Sequence, residues 1–163
     1  VTQSTSMAPP ALHIRPARPD DAAFFAALYR STRPDLLAML ADRRYIDGLV
    51  AAAWQAQAAS YRERYPDARY QVLELDGEPV ARLVTAAVAR ALRVVDLAVL
   101  PAARGRGVAT AALQWLQRQA RQDGRDLALA VHRDNAGARR LYAALGFAAE
   151  GEEGAVLALR WRP

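Results

Sequence analysis

No cysteine occurs in the 163 residues of this chain, and no lysine either, so all 22 basic residues are arginine. Without cysteine there are no disulfides, no thiolate metal ligands and no thiol nucleophile to carry an acyl group. His13 and His132 are the only imidazoles, too few for a conventional metal cluster, so no metal is expected. The missing lysine excludes a P-loop, whose second glycine is followed by Lys and then Ser or Thr. No apolar run reaches the length of a membrane span, and no membrane partner is expected.

What is present suits a folded enzyme-sized domain. Apolar residues make up 53% of the chain, enough for a sizeable core at this length. Val1–Pro10, rich in Ser, Thr and Pro and without a charged-then-apolar pattern, reads as a flexible tail before one domain over 11–163. The cytoplasm is the expected compartment. The net charge of +5 comes from arginines dispersed among acids, with no basic run or aromatic-interleaved stripe, so nucleic acid is not an expected partner.

The stretch Asp96–Ala109, DLAVLPAARGRGVA, joins an apolar strand to a glycine-rich helix start. Gly105 and Gly107 let the main chain approach a ligand without a Cβ in the way. The first N–H groups of the following helix are free, and the helix dipole favours an anion there. Arg104 and Arg106 add charge-assisted hydrogen bonds suited to phosphate. The segment is a candidate pyrophosphate cradle. A dinucleotide fingerprint is not completed, because only Gly105-x-Gly107 is present.

A second block, Asn135 to Phe147, follows the apolar strand Leu127–Val131. Asn135 is a plausible helix cap, and Ala138, Leu141, Tyr142 and Leu145 share one helical face. Gly146 suits the left-handed residue that closes a helix. The R-x-x-G-x-A arrangement from Arg104 to Ala109 resembles the acetyl-CoA signature of the GNAT superfamily of N-acetyltransferases. Asn135-x-x-Ala138-x-x-Leu141-Tyr142-x-x-x-Gly146-Phe147 resembles the second motif of the same superfamily at every fixed position. The order of elements agrees over nearly all of residues 11–160, and the motifs cover about residues 92–147.

This resemblance implies an α/β (α+β) fold with a mixed, mostly antiparallel sheet of six to seven strands flanked by four to five helices. A central parallel pair would splay apart and hold coenzyme A. The main chain of Leu97, Ala98 and Val99 would then pair with pantetheine, and the Val99 N–H would face the thioester carbonyl. Arg104, Gly105, Arg106, Gly107, Val108 and Ala109 would hold the pyrophosphate, with Thr110 adding a hydroxyl. Asn135 would contact the cofactor arm, or serve only as the cap. Ala138 would be small to avoid collision, and Arg139 or Arg140 would reach a CoA phosphate unless solvated.

Tyr142 would be the general acid that protonates the departing thiolate. Read from the helix alone, it is a core tyrosine with its hydroxyl hydrogen-bonded. Asp96 is the best-placed general base, although it reads equally as a structural carboxylate satisfied by backbone or arginine. Glu74, Glu78 and His132 are less well placed. Acceptor selection falls to residues 30–66, where Arg33, Tyr61 and Tyr65, with Trp54 and Arg62, are the candidates. An amphipathic helix with an aromatic core stripe accounts for the same residues.

The implied activity is acetyl transfer from acetyl-CoA to a primary amine of a small molecule or peptide. Attack would be direct, in a ternary complex, since no cysteine exists to carry an acyl intermediate. A non-catalytic CoA-binding or regulatory module of the same fold is the alternative. A homodimer is compatible with the fold, and nothing in the residues specifies one.

Overall fold

The computed structural model describes residues 11–163, so the expected tail over residues 1–10 lies outside it. Among the described residues the chain forms one seven-stranded sheet and five α-helices. Strand β1 (Leu12–Pro16) leads through a short 3-10 turn into α1 (Ala22–Ser31), α2 (Pro34–Leu37) and α3 (Arg43–Arg64). Strands β2 (Arg69–Leu75), β3 (Glu78–Val88) and β4 (Ala91–Val99) then form an antiparallel meander. Helix α4 (Val108–Asp123), β5 (Asp126–His132), α5 (Ala136–Ala144), β6 (Ala148–Glu153) and β7 (Val156–Trp161) complete the chain. The sheet order is β1-β2-β3-β4-β5-β7-β6, and β4–β5 is its parallel pair.

The two faces of the sheet are covered unequally. Helix α4 buries Leu113, Leu116 and Ala112 against Leu73, Leu83 and Leu127, and α5 packs Leu141 and Leu145 on the same cluster. A side chain such as Leu113, 0% exposed, contributes about 2–3 kcal/mol of burial. On the other face α1 and α3 share a much smaller cluster of Tyr29, Ile46 and Val50. The large core therefore sits under α4.

Local chemistry sets the boundaries. The helix expected from Gly105 begins at Val108 instead, because Gly105 and Gly107 take φ of 72° and 78° and form the turn before it. These are left-handed values that a helix cannot include. Helix α3 starts four residues earlier than the periodicity suggests, because the Asp42 side chain accepts a hydrogen bond from the Arg44 N–H and caps it. Helix α2 is a single turn that stops at Leu37. Strand β6 runs on to Glu153, through Gly151, where the register with β7 slips.

Candidate active site

The parallel pair opens into a cleft. Strands β4 and β5 are paired only at Ala91, Leu92 and Arg93, while both continue for several residues beyond. Val95 is the extra residue in a bulge, since Val84 opposes Asp96 and Thr85 opposes Val94. A bulge bends its strand and increases the local twist, which carries β4 away from β5. The Leu100 N–H donates to the Val80 carbonyl at 2.8 Å. Because successive strand residues alternate, Leu97 and Val99 turn their N–H and C=O groups away from β3, into the gap. Leu97, Ala98 and Val99 all line it. The cleft has a volume of about 860 Å³.

The glycine turn and the start of α4 close one end. Arg104, Gly105, Gly107, Val108, Ala109 and Thr110 line the cleft there. A Cβ placed on Gly105 or Gly107 meets nothing within 4 Å, so glycine is needed for backbone conformation and the space above it is open. The first intrahelical bond of α4 runs from the Ala111 N–H to the Gly107 carbonyl at 2.9 Å. The N–H groups of Val108, Ala109 and Thr110 therefore have no acceptor within the helix. Arg104 Nε donates to the Val99 carbonyl at 3.1 Å, which ties the turn to the end of β4. Such a cradle, with arginine and unpaired N–H donors around open space, fits a pyrophosphate.

Across the cleft, Asn135 caps α5 by accepting from the Ala138 N–H at 3.1 Å. Asn135 and Ala138 also line the cleft, together with Gly137 and Leu141. Tyr142 lies one residue further on, half-buried, with its ring edge-on to Phe147 at 5.8 Å between centroids. Burial, and next the charge of Asp96, push its phenol above the ordinary value. No hydrogen bond to its hydroxyl forms among the described residues. The hydroxyl thus lacks the described protein partner that a core tyrosine anchored through its hydroxyl would have.

The opposite end is built from side chains. Arg82, on β3, is 3% exposed. Its Nε and Nη2 donate to Asp96 Oδ2 at 3.1 and 2.7 Å, and Nη2 also reaches Gln57 Oε1 of α3 at 3.3 Å. The guanidinium lies over the Trp54 ring at 5.1 Å and the Phe25 ring at 5.5 Å, stacking that favours arginine. Asp96 is thus the arginine-paired carboxylate, and it is the one acidic residue lining the cleft among the described residues. Tyr29 and Thr32 complete this end.

Several expected site residues lie elsewhere. Arg33 does not line the cleft, because Asp35 takes its Nε and Nη2 while Nη1 donates to the Tyr29 hydroxyl at 2.9 Å. Tyr61 stands behind the wall, where burial and then Asp96 push its phenol up to about 12. Tyr65 ends α3, its N–H bonded to the Tyr61 carbonyl and its ring under Arg64. Arg106 is exposed outside the cleft lining, and Arg139 donates to the Arg133 carbonyl at 3.0 Å and faces a separate groove with Arg140. Glu74 is held by Arg15 and His13 at the β1–β2 edge, and Glu78 and His132 do not line the cleft.

Arg82, Gln57 and Tyr29 are the residues that sequence reasoning missed. The available signal was a lone arginine inside the apolar strand EPVARLVTAAV, since a buried charge must be paired.

The comparisons agree with this geometry. The acetyltransferase (GNAT) family model matches residues 25–147. The fold resembles the PaiA N-acetyltransferase of Thermoplasma acidophilum, solved with coenzyme A, at 15% identity and a TM-score of 0.72, covering 94% of this chain and 99% of that one. It also resembles the ribosomal-protein-S18-alanine N-acetyltransferase of Escherichia coli (20% identity, TM-score 0.66, covering 93% and 94% of the two chains). An acetyltransferase of Thermus thermophilus aligns at 21% identity and a TM-score of 0.68, over 96% of this chain and all of that one. A comparison with curated protein sequences gave no significant match. With the family matched over most of the chain and the splayed β4–β5 cleft in place, this chain belongs to the GNAT family of acetyltransferases.

Proposed function

We propose that this protein moves an acetyl group from acetyl-CoA to a primary amine of a small molecule or peptide, by direct attack within one ternary complex. The single observation that carries the reading is the continuity of the cleft. It runs from an N–H-lined cradle, along the unpaired edge of β4, to a carboxylate at its far end. When bound, acetyl-CoA supplies the activated acetyl thioester. Main-chain N–H groups from Gly105 to Thr110, with Arg104, hold its pyrophosphate, and Leu97 and Val99 pair with its amide arm as an added strand would. Ala138 leaves room for that arm.

The Val99 N–H donates to the negative charge that develops on the thioester carbonyl, so it stabilises the transition state more than the ground state. Asp96 receives the ammonium and takes one proton before attack, which frees the nitrogen lone pair to form the N–C bond; the second N–H proton restores the Tyr142 phenolate once the sulfur has left. Tyr142, its phenol held protonated by burial, gives its proton to the sulfur as the C–S bond breaks. No covalent relay is required, in keeping with the absence of cysteine. The cytoplasm, where acetyl-CoA and free amines meet, is the proposed compartment.

Thiol release from acetyl-CoA, followed across simple amines, amino acids and short peptides, tests this reading. Release that depends on the added amine is the expected result. Stabilisation by CoA without release for any amine would favour the non-catalytic module, and neither stabilisation nor release would overturn both.

A further inference from the structure

The Arg82 guanidinium has one arm unaccounted for. Nε and Nη2 are engaged by Asp96 and Gln57, while Nη1 has no acceptor among the described residues. Among the described residues no fully sealed side-chain polar atom lacks a partner, so Nη1 keeps some access to solvent. Arg82 borders the cleft. The residue is 3% exposed, lies over two aromatic rings and is bonded to Asp96, so its position is fixed before any ligand arrives.

Its neighbours point to the same chemistry. Gln57 offers its oxygen to Arg82, which leaves the Nε2 hydrogens to donate elsewhere. The Tyr29 hydroxyl accepts from Arg33 and keeps its own proton to give. Arg82, Gln57 and Tyr29 all line the cleft beside its single carboxylate, and each keeps a donor that no described residue takes. Charge balance sharpens this. Arg82 and Asp96 neutralise each other, so an acceptor bringing only an ammonium would add an uncompensated positive charge beside a buried guanidinium. An acceptor bringing an ammonium and a carboxylate leaves the site neutral. Its ammonium would meet Asp96 Oδ1, and its carboxylate the three donors.

We propose that the acceptor is a small amine bearing a carboxylate, of the free amino-acid class, and that Arg82 is the residue that recognises that carboxylate. The inference rests on the acetyl-transfer reading above, which is tested separately by acetyl-CoA binding and by release with any amine.

The experiment compares matched sets: free L-amino acids, their amides, and the amines lacking the carboxyl group, each at the same side chain. Thiol release is the readout. For at least one set, kcat/KM should favour the free acid over its amide by about a hundredfold, as expected when a site of donors loses its anion. Gln57→Glu, which places a negative charge beside the bound carboxylate, should raise KM for the acid about tenfold or more. The acid-over-amide preference should narrow with it. Arg82→Lys, which keeps the charge but loses the fork, should narrow the acid-over-amide preference; where it unfolds, Gln57→Glu carries the test alone. Equal rates for acid, amide and plain amine, or release with peptides and plain amines but no free amino acid, would overturn the carboxylate proposal while acetyl transfer stands. Acetyl-CoA binding without release from any amine would overturn both readings.

Discussion

The two halves of the cleft are made of different materials. At the cradle end, from Leu97 to Thr110, the groups offered to the cleft are main-chain N–H and C=O, held by a bulged strand and two left-handed glycines. At the cover end, the facing groups are the side chains of Tyr29, Gln57, Arg82 and Asp96, brought from α1, α3, β3 and β4. A backbone site binds whatever shares the common arm of a cofactor. In the proposed function the side-chain end reads the acceptor. The supports differ as well: α4 rests on the large core, whereas α1 and α3 share a small cluster around Tyr29, Ile46 and Val50.

The strongest way to break this contrast is Gly107→Trp. The position requires φ of 78° and opens directly onto the cradle, so a bulky side chain strains the turn and fills the anion site. Acetyl-CoA affinity should fall by more than about a hundredfold while unfolding stays cooperative, at a cost of about 1–3 kcal/mol. Calorimetric titration and thermal unfolding measure the two effects, and unchanged affinity would remove the cradle.

The contrast also explains what could be read from the sequence. Backbone sites leave local signatures, because a left-handed turn demands glycine at a fixed spacing and a helix start demands a cap. Gly105, Gly107 and Asn135 were therefore legible, as was the order of strands and helices around them. Arg82 and Asp96 lie fourteen residues apart and meet only through the β3–β4 register, which the bulge at Val95 shifts by one. Gln57 reaches them from a helix whose spacing says nothing of its partner. Arg33, the arginine expected to anchor a substrate, is instead occupied by its near neighbour Asp35, a contact two residues away that helical and strand periodicity do not reveal.

The difference in support gives a pair of stability predictions. Leu113→Ala, in the large core at 0% exposure, should lose about 3–4 kcal/mol. Val50→Ala, in the small cluster at 6% exposure, should lose about 1.5 kcal/mol. Denaturant unfolding measures both, and equal losses would mean that the cover is as firmly built as the core.

A smaller effect is expected at the junction of the halves. Tyr142→Phe removes a hydroxyl with no partner among the described residues, so stability should change little while kcat falls by about ten- to a hundredfold. Acetyl-CoA affinity should hold. Because burial raises the phenol above its ordinary value, Tyr142 stays protonated as pH rises through neutrality, and its contribution should persist to higher pH than that of an ordinary phenol. Unchanged kcat in the phenylalanine variant would remove the acid role.

The most direct test of the central division is amide hydrogen exchange with and without acetyl-CoA. The backbone account predicts slowed exchange over Leu97–Val99 and over Gly105–Thr110, with α3 unaffected until an acceptor amine is added. Protection that appears first in α3, or none along β4, would contradict it.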